Sequence, residues 1–198
     1  MDSSLLQQLA LAGGLAWASG VRLYAAVFIV GLLGRLGYVD LPTHLLVLQH
    51  TAVLAAAGIM LAAEFLVDKV PGFDSAWDAI HTFIRIPAGA LLAWGAMGDQ
   101  APALQLAVAI LGGAITGGTH LAKSGARAAI NTSPEPFSNW TASFSEDGLL
   151  LAGLWLALHH PVLFLVLLAA FLALVIWLVP KLFRFVRGLW RRITSSGT

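Results

Sequence analysis

The chain has 198 residues, 59% of them apolar and only 11% charged, with eleven Lys and Arg against ten Asp and Glu for a formal net charge of +1. Lipid can neither solvate side-chain charge nor pair an open backbone, so this composition reads as a membrane protein that crosses the bilayer several times. The small net charge argues against nucleic acid as a partner, and the lack of Cys excludes disulfides, thiolate metal sites and Cys nucleophiles together.

Met1-Asp2-Ser3-Ser4 lacks the basic stretch that opens a cleaved signal peptide, so the first apolar run is expected to stay in place. That run extends from Leu5 to about Gly37. As one straight helix it would measure about 50 Å, too long for a hydrocarbon core of about 30 Å. Gly13-Gly14 and Ser19-Gly20 lie inside it, and a break or strong kink is expected there. A second crossing is predicted from about His50 to Val67, with Glu64 and Asp68 at its end and Pro71-Gly72 stopping it. A short segment, Phe73 to Arg85, follows, and then a third crossing from about Ile86 to Gly98, entered through Pro87.

The fourth run, Ala103 to Ile130, is again overlong and again interrupted by glycines, at Gly112-Gly113 and Gly117-Gly118. The proline-rich stretch from Asn131 to Pro136 is the clearest loop. A fifth crossing is predicted from about Ser145 to Leu158, and a sixth from Val162 to Val179, ending at Pro180. Beyond it, Lys181, Arg184, Arg187, Arg191 and Arg192 form a basic tail over 181–198, which makes anionic lipid an expected partner. Six crossings would put both termini on one side, and Lys69, Arg85, Lys123, Arg127 and the tail assign that side to the cytoplasm of a bacterial inner membrane.

A shift of 98 residues lays Gly14, Ser19-Gly20 and Arg22 on Gly112, Gly117-Gly118 and His120. The single domain, 1–198, can then be read as halves 1–99 and 100–180, each opened by a broken helix and mutually inverted, a plan that recurs in transporters. Chance alignment of two Gly/Ala-rich membrane helices is the competing reading.

Four groups of ionisable residues stand out. Asp74, Asp78, His81 and Arg85 fall on one helical stripe, which reads as an interfacial face in water, as a charge network turned inward or, least favoured because it lacks a signature spacing, as a metal site. Glu64 and Asp68 share a face of the second crossing, and His120, Lys123 and Arg127 share one on the fourth. These two rows either mark where helices leave the membrane or meet as acid against base. Arg22 lies seventeen residues after Leu5 and thirteen before Arg35. It either snorkels to an interface or sits inside, paired with Glu64, Asp68, Glu146 or Asp147 or holding an anionic substrate. A broken helix at Ser19-Gly20 would add backbone N–H groups that favour anions. There is no nucleophile elbow, paired-His metal motif or phosphate-cradling loop, so an enzyme is the weakest class, and neither a cofactor nor a metal is implied.

Gly20-Val21-Arg22, the run from Glu64 through Pro71-Gly72-Phe73-Asp74 to Asp78, and Ile86-Pro87-Ala88-Gly89 together resemble one family. Gly98-Asp99, Gly112-Gly113, and Gly125 with Arg127 leading to Ser133, Asn139 and Glu146 extend the likeness. It is to the bacterial membrane proteins catalogued as domain of unknown function 4126, and it spans Leu11 to Arg192. The resemblance implies a small polytopic inner-membrane protein and no activity. The expected fold is an all-α membrane bundle of about six crossings. The leading functional expectation is a small transporter or flippase-like carrier of a polar or anionic solute or lipid headgroup. Arg22, His120, Lys123 and Arg127 would bind that substrate, and Glu64, Asp68, Asp74, Asp78, His81, Arg85 and Glu146 would form a charge network or proton relay. The alternative is a non-transporting scaffold or regulatory subunit with static ion pairs, and either could act as a homo-oligomer.

Overall fold

The computed structural model describes residues 3–68, 73–130 and 136–195, leaving aside the side chains of residues 3, 74, 75, 136, 179, 180 and 182–195. Lys69, most of the Asn131–Pro136 loop, and the side chains of Asp74 and of the Arg residues in the basic tail therefore lie outside what is described. The elements are α1 (Ser3–Arg35), a short 3-10 segment (Thr43–Gln49), α2 (Thr51–Val67), α3 (Phe73–Ala96), α4 (Pro102–Ile130), α5 (Pro136–His159) and α6 (Pro161–Ser195). The expected all-α architecture is present. Among the described residues, three helices have the length and apolar composition to cross a membrane, or four if the 3-10 segment and α2, bent by 66°, form one span. Helices α3 and α5 have 24 residues each, enough length for a crossing, but neither is among these candidate spans.

Several boundaries differ from expectation for identifiable reasons. The segment Phe73–Arg85 and the third crossing are one helix, because the ring of Pro87 removes a single hydrogen bond without ending α3. Likewise α6 runs through Pro180 to Ser195, and α5 starts at Pro136, nine residues before Ser145. The 3-10 segment before α2 was not expected at all; its Leu45 and Leu48 are buried in the core.

The break in α1 falls at Arg22, which is extended (φ −150°, ψ 92°), two residues past the expected Ser19-Gly20 and not at Gly13-Gly14. Ser19 contributes by returning its hydroxyl to the Leu15 carbonyl at 2.6 Å, a bond that bends helices. After the break the chain returns towards its start. The first arm begins beside the end of α3, where Gln100 donates to the Gln8 side chain at 2.9 Å. The second arm ends at that same end of the bundle, where Arg35 donates to Thr51, the first residue of α2. Ser4, Gln7 and Gln8 line one cavity with Tyr38, Asp40 and Pro42. Both arms of α1 therefore finish at one end, and the Arg22 turn lies deep in the bundle.

Helix α4, by contrast, is continuous from Pro102 to Ile130, so the expected glycine break is absent and the two overlong helices differ. Glycines of its neighbours, Gly20 on α1 and Gly89 on α3, serve close packing against it instead. A Cβ on Gly20 would lie 2.6 Å from the Thr116 carbonyl and 2.6 Å from Thr119 Cβ, and one on Gly89 would overlap the Thr116 side chain. Thr116 meanwhile donates to the carbonyls of Ala16 and Gly112, both at 2.8 Å, tying α4 to α1. Helix α1 packs against every other element, and Leu15, Ala16, Ala18 and Ala26 at its centre are fully buried. Small residues let backbones approach closely, which supplies the packing that apolar surface alone cannot in lipid.

The folded-back first helix has a direct test. In this Cys-free chain, Gln7→Cys with Asp40→Cys is expected to be joined by a short bismaleimide, since both residues line the same cavity. A straight α1 would hold them about 40 Å apart and leave the two cysteines unlinked.

Candidate functional site

Around the turn of α1, five helices bring nine charged side chains together. Arg22, Glu64, Asp68, Asp78, Arg85, Lys123 and Arg127 are all buried, whereas the side chains of Glu146 and Asp147 keep 15% and 31% exposure. Arg22 holds Asp68 and Asp147, each at 2.9 Å, and donates to Ser143 Oγ at 2.7 Å; Glu146 lies 3.7 Å away. Arg127 grips Glu146 through two parallel bonds at 2.8 and 2.9 Å, and its Nη1 donates to the carbonyls of Asp68 and Asn139. Two bonds from one guanidinium fix both distance and plane, which a single ammonium contact cannot.

A second focus is Arg85, which pairs with Glu64 and with Asp78, the latter at 3.1 Å. Its Nη1 also contacts His120 Nδ1 at 3.1 Å. Because a guanidinium only donates, Nδ1 must accept, and the proton of neutral His120 then sits on Nε2, 2.7 Å from the Thr82 hydroxyl. Thr82 passes its own proton to the Asp78 carbonyl at 2.9 Å. Lys123 joins the two foci, contacting Asp68, Asp78 and Glu146 at 3.6, 3.9 and 3.4 Å.

The turn at Arg22 is part of this network. Carbonyls just before a helix break lose their partners four residues on. Here Val21 O accepts from Lys123 Nζ at 3.0 Å, and Gly20 O faces Arg85 Nη1 at 3.5 Å. Cations thus cap the negative end of the first arm of α1. The sequence pointed instead to free N–H groups and an anion at this break, and the engaged groups are the carbonyls.

Arg22 is interior, with three of the four carboxylates anticipated for it; the fourth, Glu64, belongs to Arg85. The acidic row meets the basic row through Asp68, which faces both Lys123 and Arg127 at 3.6 Å. The stripe on α3 turns inward at Asp78 and Arg85. His81 is also buried but stands at the edge, stacked on Trp77 with centroids 4.0 Å apart and edge-on to Tyr24. Sequence reasoning missed Ser143 and Thr82. Both lie three or four residues from charged members of the site, a spacing that could have flagged them.

Three of the cavities among the described residues are lined by no side chain of the network. One of about 530 Å³ lies at the end where α1 starts and finishes. One of about 520 Å³, almost wholly apolar, runs between α1, α2 and α3 past Tyr24 and Val27. The third, of about 210 Å³, lies between α1, α5 and α6 beside Trp17 and Phe171.

Helices of membrane-crossing length around a largely buried charge network at a helix break define an all-α integral membrane protein with ionisable groups in its interior. The family described as domain of unknown function (DUF4126) matches residues 9–181, and the chain belongs to it. No curated protein and no solved structure matches the chain.

Proposed function

We propose that the protein is a small carrier of a polar or anionic solute or lipid headgroup, with its charge network closed in the structure described. The observation that supports this most is the break of α1 at Arg22 inside that network. Irregular backbone at membrane depth is tolerated only where protein buries it or a wet path adjoins it. Ionisable groups there cost a few kcal/mol each and mark solute or proton pathways. In this reading Arg22, His120, Lys123 and Arg127 receive the anion. Glu64, Asp68, Asp78 and Glu146 are their resting partners, which the substrate displaces. The two-bond grip of Arg127 on Glu146 has the geometry that a phosphate or carboxylate would take over.

The basic residues of the network and tail assign their end of the bundle to the cytoplasmic side of an inner membrane. Since both arms of α1 finish at the other end, we read the N-terminus and the tail as lying on opposite sides, against the same-side expectation of six full crossings. Anionic lipid remains the partner proposed for the tail, where Lys181 Nζ lies 3.3 Å from the Trp177 ring centroid and Trp177 is exposed.

Purified protein in proteoliposomes tests the carrier reading. It is expected to speed either the exit of trapped inorganic phosphate or the dithionite bleaching of fluorescent phosphatidic acid. Glu64→Gln is expected to remove any response of that flux to an imposed pH gradient. Rates equal to those of protein-free vesicles in both assays return the protein to the scaffold reading. One observation favours that second reading: each Arg and Lys of the network is engaged by carboxylates, and the three cavities described above are lined by other residues.

A further inference from the structure

The seat of the Lys123 ammonium has a composition that an ordinary ion pair does not need. Nζ lies 3.0 Å from Val21 O, 3.4 Å from Glu146, 3.6 Å from Asp68 and 3.9 Å from Asp78, with the side chain 4% exposed. Val21 is the residue before the break, so its carbonyl has no helical partner and carries the negative end of the arm behind it. Asp68 is fully buried, and its Oδ1 accepts no hydrogen bond among the described residues. Unwound carbonyls beside carboxylates are the donor set by which broken membrane helices hold small cations. Here the cation is a side chain.

We propose that this seat is a binding site for a small monovalent cation, of ammonium, sodium or potassium size, which Lys123 fills as a tethered substitute in the closed state. The free ion enters when the Lys123 side chain leaves. Charge explains why something must replace it. Without Lys123, the carboxylates of Glu64, Asp68, Asp78, Glu146 and Asp147 face the three guanidiniums of Arg22, Arg85 and Arg127 among the described residues. The carboxylates stand 3.4–3.9 Å from Nζ around one carbonyl at 3.0 Å, a seat sized for an ammonium-like monovalent ion, and no group of acidic or His residues spaced to hold a metal ion is found among the described residues. As a carrier's coupling ion the cation rests on the reading above. Its binding does not, and the test measures binding alone.

Lys123→Ala protein in detergent is to be melted in sodium, potassium, ammonium and methylammonium chloride, with choline chloride at equal ionic strength as the bulky control. At least one small cation is expected to raise the midpoint saturably by about 5–10 °C over choline, as a bound ligand should at about a hundred times its Kd. The unmodified protein is expected to melt alike in all five salts. Lys123→Ser provides a second, polar variant of similar size. Adding Asp68→Asn to either variant should abolish the salt preference. Equal midpoints in choline and every small cation for both variants would overturn the proposal. So would failure to recover either variant folded in any of the salts, or an equal response of the unmodified protein.

Discussion

Arg22→Ala is expected to lower the stability of the folded bundle by about 3–5 kcal/mol, the usual cost of removing one partner from a buried ion pair. The loss is large because one guanidinium serves several groups. Asp68 is fully buried and keeps only Lys123 and Arg127 at 3.6 Å, while Asp147 and Ser143 Oγ lose contacts of 2.9 and 2.7 Å. Arg22→Lys should recover part of it, since an ammonium restores charge but cannot reach Asp68, Asp147 and Ser143 in one plane. Thermal or denaturant unfolding in detergent measures both variants. An Arg22→Ala midpoint equal to that of the unmodified protein would mean that Arg22 does not hold these carboxylates in place.

Arg85→Met should be comparably destabilising, because it leaves Glu64 at full burial and Asp78 at 2% exposure without their nearest cation. Glu64→Met alone strands Arg85 in turn. The double variant Glu64→Met/Arg85→Met is expected to cost less than the two single losses added, with a coupling of about 1–3 kcal/mol. Replacing both partners by apolar groups removes the penalty of an unmatched charge. This cycle also separates the two functional readings. A carrier should regain stability but not flux in the double variant. A scaffold should regain whatever cellular role it has along with stability. Additive losses would show that Glu64 and Arg85 are held independently, contrary to their contact.

The sequence by itself determined the chemistry of the protein and most of its helices. Apolar runs and polar punctuation are local signals, so α2, α4 and the start of α6 were legible to within a residue or two. The expense of ionisable groups in lipid made Arg22, Glu64 and His120 stand out before any contact was known. The same reasoning put Asp68, Glu146 and Asp147 among the partners of Arg22. It failed where neighbours distant in sequence decide. Whether Pro87 ends a helix or lies inside one depends on packing against α4, and whether glycines break a helix depends on what approaches them. At Gly112 the close neighbour is Ala93 on α3, so this glycine lets two helices approach within an unbroken α4.

Only the tertiary structure decided that α1 turns back at Arg22, because the turn depends on groups far along the chain. Lys123 and Arg85 occupy carbonyls that the break exposes, across 102 and 65 residues. The first arm is tied by Gln100 to Gln8, across 92 residues. Tertiary packing also assigned Glu64 to Arg85 and buried seven of the nine charged side chains of the network. Residue type sets which charges need partners in lipid, but pairing is a matter of distance in space, and periodicity along the chain carries no information about that.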